Sequence, residues 1–260
     1  ANLKLGGAFA LDRVWLGEDR SFEGGQGAFR HDGKHWRTAT ARGRVGKADK
    51  PFAFDIKPAP GREAEERVLT LNAEDAGAML QALDFYDNMI GGNLEIFGSY
   101  RDRDAGEPLV GRVVARDYRI VNAPLLARLL SVASLTGILD ELQGQGLNFA
   151  ALDLPFVQTE GLLEMREARA FGAALGFTAK GKIYTDADVV DIEGTIVPAY
   201  VINSLLGTLP VVGTLFTGGE KGGGVFAATF RMTGPREEPN VAINPLATLA
   251  PGFLRNLFGA

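Results

Sequence analysis

Four successive segments, residues 147–158, 161–170, 175–184 and 189–197, each run eight to twelve residues with turn-forming residues between them. Segments of that length at that spacing are consecutive strands of a curved antiparallel meander. The first 71 residues carry the same pattern in shorter form. His31-Asp32-Gly33-Lys34 is a hairpin turn, because Asp-Gly accommodates positive φ between alternating flanks. Phe52, Phe54 and Ile56 share one face of a strand that runs into Pro58-Ala59-Pro60-Gly61. The 34 glycines fall between short apolar runs, which assigns them to tight turns.

Helical patterns interrupt the strands. Asn72 is placed to cap a helix over residues 73–83, with Glu74 and Asp75 in its first turn. Gly91-Gly92 ends that region, and a long hairpin over 93–101 and 111–121 follows. Asn122-Ala123-Pro124 opens a leucine-rich helix, and a shorter one covers 138–142. Residues 200–216 read as helical or loop-helical, Gly218–Gly224 break the chain, and a hairpin spans 225–243. Asn244-Pro245 then opens a last helix that ends near Phe258. The order of strands, helix, glycine break, hairpin and Asn/Pro/Leu/Ala helix start therefore occurs twice. Its two Asn starts lie 122 residues apart. The expectation is an α+β, mainly β fold of curved antiparallel sheets. Two strand-plus-helix units, 1–134 and 135–260, form one continuous body around an open groove or a partly closed barrel.

Composition removes several function classes. A net charge of −5 without a basic run supplies no counterpart for a phosphate backbone, so no nucleic-acid partner is expected. The absence of cysteine excludes disulfides and thiolate chemistry. His31 and His35 flank a turn and lack the third ligand that zinc needs. Asp191 and Glu193 share a strand face near Asp186 and Asp188, where they read as solvated charges rather than a glycosidase pair. Ser131, Ser134 and Ser204 lack a nucleophile elbow, and the glycines around Lys221 do not form a phosphate loop. No enzyme activity and no cofactor is expected.

The apolar stretches carry the positive expectation. Residues 194–219 form 26 positions without a charge, yet Pro198, Asn203, Gly207, Pro210 and Gly213 would break a spanning helix. Buried or lid-like helices are expected instead, presenting Leu126, Leu129, Leu130, Leu205, Leu206, Phe253, Leu254, Leu257 and Phe258 to a core, a lipid or a membrane. Val190, Ile192, Ile196, Phe226, Phe230 and Met232 alternate with polar neighbours and line one greasy sheet face, suited to acyl chains.

Three runs carry a family resemblance: Arg119-Ile120-Val121-Asn122-Ala123-Pro124-Leu125-Leu126-Ala127 within 118–137, Gly194-Thr195-Ile196-Val197-Pro198 with Asn203-Ser204-Leu205-Leu206-Gly207, and Asn244-Pro245-Leu246-Ala247 with Ala250-Pro251-Gly252-Phe253-Leu254. Together they resemble the C-terminal region of YhdP-like proteins of the AsmA superfamily, which includes the TamB-related bridge-like transporters. The likeness covers about residues 90–258 well and the rest more loosely. It implies a groove-bearing periplasmic segment of an inner-membrane-anchored protein in a Gram-negative bacterium. It also implies a role in moving phospholipid to the outer membrane and maintaining its barrier. The expected partners are phospholipid or another acyl-chain lipid, a membrane surface or an outer-membrane protein. The competing expectation is an assembly module that binds protein without lipid. Ala1–Leu5 read as a strand already under way, as in an excised piece whose leader or anchor lies upstream.

Overall fold

A computed structural model describes residues 3–17, 20–59, 66–133, 135–198 and 225–249. The chain opens with β1 (Leu5–Gly17), β2 (Arg20–His31), β3 (Trp36–Val45), β4 (Lys50–Pro58) and β5 (Arg67–Ala73). Helix α1 (Ala76–Ala82) and the short β6 (Met89–Ile90) lead to β7 (Asn93–Tyr100) and β8 (Leu109–Ile120). Helices α2 (Pro124–Val132) and α3 (Thr136–Gln143) precede β9 (Leu147–Thr159), β10 (Leu162–Gly172), β11 (Leu175–Tyr184) and β12 (Val189–Pro198). β13 (Val225–Pro235) and β14 (Asn240–Leu249) complete the described elements.

All these strands belong to one curved, antiparallel, fourteen-stranded sheet that does not close into a barrel. Each strand pairs with its predecessor, except that β7 follows β5 and β6 extends the end of β8. The mainly β fold expected from the strand spacing is therefore present, with a single sheet running across residue 134. A meander sends alternate connections to opposite ends. The links that carry α1, α2 and α3 leave from one end, and the hairpin turns after β2, β7, β9, β11 and β13 lie at the other.

The helices cover one face of the sheet at their own end. Met79 and Ala82 of α1, Leu129 and Leu130 of α2, and Leu142 of α3 join a single apolar cluster with Leu94, Tyr118, Leu147, Phe149 and Leu175. The curl also brings the far edge back toward the helices. Arg128 on α2 donates a hydrogen bond to the Pro239 carbonyl at the β13–β14 turn, 3.4 Å away. Arg20 pairs with Asp84, just beyond α1. That hydrogen bond, with a further pull from Arg236, holds the Asp84 carboxyl below its ordinary range.

Two helix starts differ from the sequence reading. α1 begins at Ala76 and is capped by Asp75, whose side chain accepts from the Ala78 N–H at 2.9 Å. Asn72 lies in β5, because Ala73 is drawn into the core opposite Phe52 and Leu94 and the strand continues through it. The first N–H groups of α1 donate instead to the Gly92 and Gly91 carbonyls. Asn244-Pro245 opens no helix: both residues lie within β14. Asn244 pairs with Thr229 and Ala247 with Ala227, leaving Pro245 and Leu246 opposite Ala228 as a bulge. A bulge on an edge strand is where a sheet tolerates proline. The remainder of that expected helix, the one expected over 200–216 and the Gly218–Gly224 break lie outside the described residues.

Candidate apolar binding face

The helix-side face of the sheet is apolar along entire cross-strand rows. One row reads Gly7, Phe29, Ala39, Ile56, Leu69, Gly98, Gly111, Phe156, Met165, Gly181, Ile192, Met232, Val241, each directly opposite the next. It crosses every strand of the main path without a charge or a hydrogen-bonding side chain. A second row, nearer the helices, reads Gly43, Phe52, Ala73, Leu94, Ala115, Leu152, Ala170, Phe177, Ile196, Ala228. Opposed residues of an antiparallel pair project from the same face, so each row is a continuous apolar band.

The two ends of this face differ in cover. Near the helices its residues are enclosed: Leu94 and Ala115 are each 1% exposed. Across β4 to β11, away from the helices, Phe54, Leu69, Ile96, Val113, Leu154, Met165 and Ile183 remain only half-buried. These central side chains form the accessible part of the face.

Glycine has a role here that turn chemistry does not explain. Phenylalanines that stand opposite a glycine on the neighbouring strand include Phe29 on Gly7, Phe9 on Gly27, Phe52 on Gly43, Phe156 on Gly111, and Phe230 on Gly194. A Cβ built on any of these glycines would lie 2.5–3.3 Å from the ring. The rings therefore lie over bare backbone, an arrangement that covers a glycine's exposed peptide and lets a large side chain sit flat on the sheet. Assigning the glycines to turns missed this. The signal in the sequence is a glycine at a strand's apolar position with phenylalanine in register on the next strand.

The side chains singled out from the sequence fall into three groups. Val190, Ile192 and Ile196 of β12 share the apolar face with Phe230 and Met232 of β13, and Ile192 is directly opposite Met232. All five are buried; Ile192 and Met232 are 8% exposed. Phe226 is in β13 opposite Thr248. Leu129 and Leu130 are buried beneath α2 and Leu126 is half-buried, so this helix spends its apolar side on its own sheet. Leu205, Leu206, Phe253, Leu254, Leu257 and Phe258 lie outside the described residues.

At the hairpin end the face terminates in a set of charges. Arg67, on the same side of β5 as Leu69 and Leu71, is 5% exposed. Its guanidinium donates to both Asp102 oxygens at 2.8 and 2.6 Å and to the Trp36 carbonyl at 3.0 Å, and it stacks 3.9 Å from the centre of the Tyr100 ring. Arg37 pairs with Asp32 and lies 3.8 Å from Asp102. His35 and Lys34 both reach Glu107, the histidine through Nε2 at 2.8 Å. The β2–β3 turn is thus clasped to the β7–β8 turn across two intervening strands. Lys34, Arg37 and Arg67 balance Asp32, Asp102 and Glu107, so the clasp offers no net positive charge to an anion.

The clasp has a pH signature. Hydrogen bonds from His35 and Lys34 outweigh desolvation and pull the Glu107 carboxyl from 4.5 to about 2. A depressed folded-state pKa contributes stability above the unfolded value and loses it as the pH falls through the folded one. The thermal-stability margin of the parent over Glu107→Gln is expected to hold near neutral pH and to shrink from about pH 4.5 to pH 2. A margin that stays constant across that range, followed by circular dichroism melts, would refute the assignment.

Elsewhere the charged residues pair on the opposite face. Glu193 binds Lys180, directly opposite it on β11, at 3.1 Å, and Asp191 reaches diagonally to Arg231 on β13 at 3.1 Å. His31 Nδ1 accepts from the Gly33 N–H in its own turn. Among the described residues no three His, Cys, Asp or Glu side chains converge as a metal site, and no helix is long and apolar enough to cross a membrane. Compared with protein-family models, curated proteins and solved structures, the chain matches none.

Proposed function

We propose that this chain holds acyl chains of phospholipid against the helix-side face of its sheet, as one segment of an envelope lipid-handling protein. The single observation that carries the reading is the pair of charge-free rows running strand to strand, half-exposed in the middle. Acyl chains need nothing more than continuous apolar surface, since the hydrophobic effect is non-directional. A face without fixed hydrogen-bond donors also sets no sharp minimum at which a lipid would stop. Passage therefore requires no chemistry, and no enzyme activity or cofactor enters the reading.

The helices close the face at one end, and the ion-pair clasp bounds it at the other. Lipid would then rest across β4 to β11, with its headgroup toward solvent. The family-like runs favour the AsmA-like, YhdP-like setting: a periplasmic location, inner-membrane anchoring of the whole protein, and a contribution to outer-membrane maintenance. Leu5 and Leu11 of β1, each about half exposed, favour a second reading as an assembly module that binds protein.

Photo-crosslinking separates them. A benzoylphenylalanine at Val113, on the apolar face, is expected to capture phospholipid from mixed vesicles, whereas one at Val114, on the opposite face, should not. Equal capture at both positions, or none at Val113 in a folded protein, would sink the lipid reading. Ile192 and Phe230 serve poorly as probes, since a charge placed at a buried position reads out on folding first.

A further inference from the structure

On the face opposite the apolar rows, a cavity of about 640 Å³ opens over β10 to β14, within the size range of small-molecule sites. Two bulges bend the sheet around it, one between Met165 and Ala168 of β10 and one where Pro245 and Leu246 face Ala228. Its floor is a row of hydroxyls: Thr178, Thr195 and Thr229 lie directly opposite one another on β11, β12 and β13. Thr195 is only 7% exposed, yet among the described residues its hydroxyl has no hydrogen-bond partner. A hydroxyl held that way costs free energy, and valine would fill the same volume without the cost. Such a group is explained by a ligand that enters the cavity and bonds to it.

The charged side chains of the cavity are already engaged. Lys180 pairs with Glu193 at 3.1 Å, and Arg231 donates to both Asp191 oxygens at 3.2 and 3.1 Å. A charged ligand would have to break these pairs. An uncharged ligand bearing hydroxyls needs only what the threonines offer, since each is both donor and acceptor. Adjacent strands set the three hydroxyls in a line at a spacing of about 4.8 Å. That spacing matches the rise from ring to ring along an extended β-1,4-linked glycan. We propose that the cavity binds such a saccharide, laid across β11, β12 and β13 with successive rings over Thr178, Thr195 and Thr229. The threonine methyl groups give the C–H faces of the rings an apolar contact.

The same geometry excludes α-linked glucans, whose chains curl and cannot present successive rings in a line. The inference is independent of what the apolar rows bind, because alternate side chains of a strand project from opposite faces of the sheet.

Saturation-transfer NMR on the intact chain tests this with three trisaccharides. Chitotriose or cellotriose, both β-1,4-linked, is expected to bind at millimolar concentration, and α-linked maltotriose is not. Thr195→Val should weaken binding about threefold to tenfold, the worth of one hydrogen bond, and adding Thr178→Val and Thr229→Val should abolish it. Valine keeps the β-branch that suits a strand, so these variants fold. The melting temperature of Thr195→Val should not fall, because no hydrogen bond within the protein is lost. A parent chain that binds none of the three sugars overturns the inference, the hydroxyls then serving water only. So does binding that survives the triple variant, equal binding of maltotriose, or a lowered melting temperature for Thr195→Val.

Discussion

Replacing Asp102 with alanine is expected to destabilise the fold by about 3–5 kcal/mol, a large share of the roughly 5–15 kcal/mol that holds a domain together. The cost comes from what remains. Arg67 would keep its charge at 5% exposure, against Tyr100 and a carbonyl, with its two carboxylate contacts gone. Burial alone would raise the Asp102 pKa, yet the Arg67 hydrogen bond together with the nearby charges of Arg67, His35 and Arg37 outweighs it and keeps the carboxyl low, so the carboxylate is ionised across the neutral range. Removing both charges, as Arg67→Met with Asp102→Leu, should recover most of the loss, because an apolar pair of similar volume carries no desolvation cost. Urea denaturation of the two single variants and the double variant measures this as a cycle. A double variant no more stable than Asp102→Ala would show that the arginine is held for packing alone.

Gly194→Ala is expected to cost about 1–3 kcal/mol, although alanine is the smallest side chain available. A Cβ at that position would lie 2.1 Å from the Thr178 carbonyl oxygen and 2.5 Å from the Phe230 ring, so a strand and a buried aromatic must both move. Trimming the ring with Phe230→Leu in the same chain should relieve only part of the loss, since the backbone contact persists. Gly137 provides the internal comparison. It lies in α3 with nothing within 4 Å of its would-be Cβ, and there alanine should stabilise by up to about 1 kcal/mol. Thermal melts of the two variants should move in opposite directions; equal losses would mean that Phe230 and Gly194 are not in intimate contact.

Strand positions from β7 onward were read from sequence almost residue by residue, because apolar alternation bounded by turn residues is a local signal and a sheet of sequential neighbours uses little else. By contrast β1, β2 and β3, expected to be short, run 13, 12 and 10 residues. The His31–Lys34 turn, the hairpin of β7 and β8, and α2 with proline in its first turn stand where the chain places them. Local signals failed where two local solutions compete. Asn72 and Asp75 can each cap a helix, and pairing of Ala73 with Phe52 and Leu94 decides for Asp75. Asn244-Pro245 looks like a helix start but is absorbed by a bulge on an edge strand. The apolar face around Ile192 and Phe230 was legible as a face, but its cover was not. Burial depends on which helix folds over it, and that is decided by residues 60 to 100 positions away. The Arg67–Asp102 pair and the clasp at Glu107 were invisible for the same reason, since their partners are separated by 35 to 73 residues.

The order of the strands has a consequence for how the molecule comes into being. In a sheet where each strand docks on the one before it, the loop to be closed is short at most steps, and the entropic cost of those short steps is small. The long links are those between β5 and β7, β8 and β9, and β12 and β13. Assembly can then proceed as a zipper, each segment finding its template already laid down by the time it emerges. The helices enter late in two of these steps, after β5 and after β8. Until they arrive, the apolar rows lie bare, and the growing edge is the one place where a stray strand could be added in error. A chain built this way is vulnerable at its advancing rim rather than in its interior, and conditions that slow its emergence should favour misassociation of partial sheets over misfolding within them.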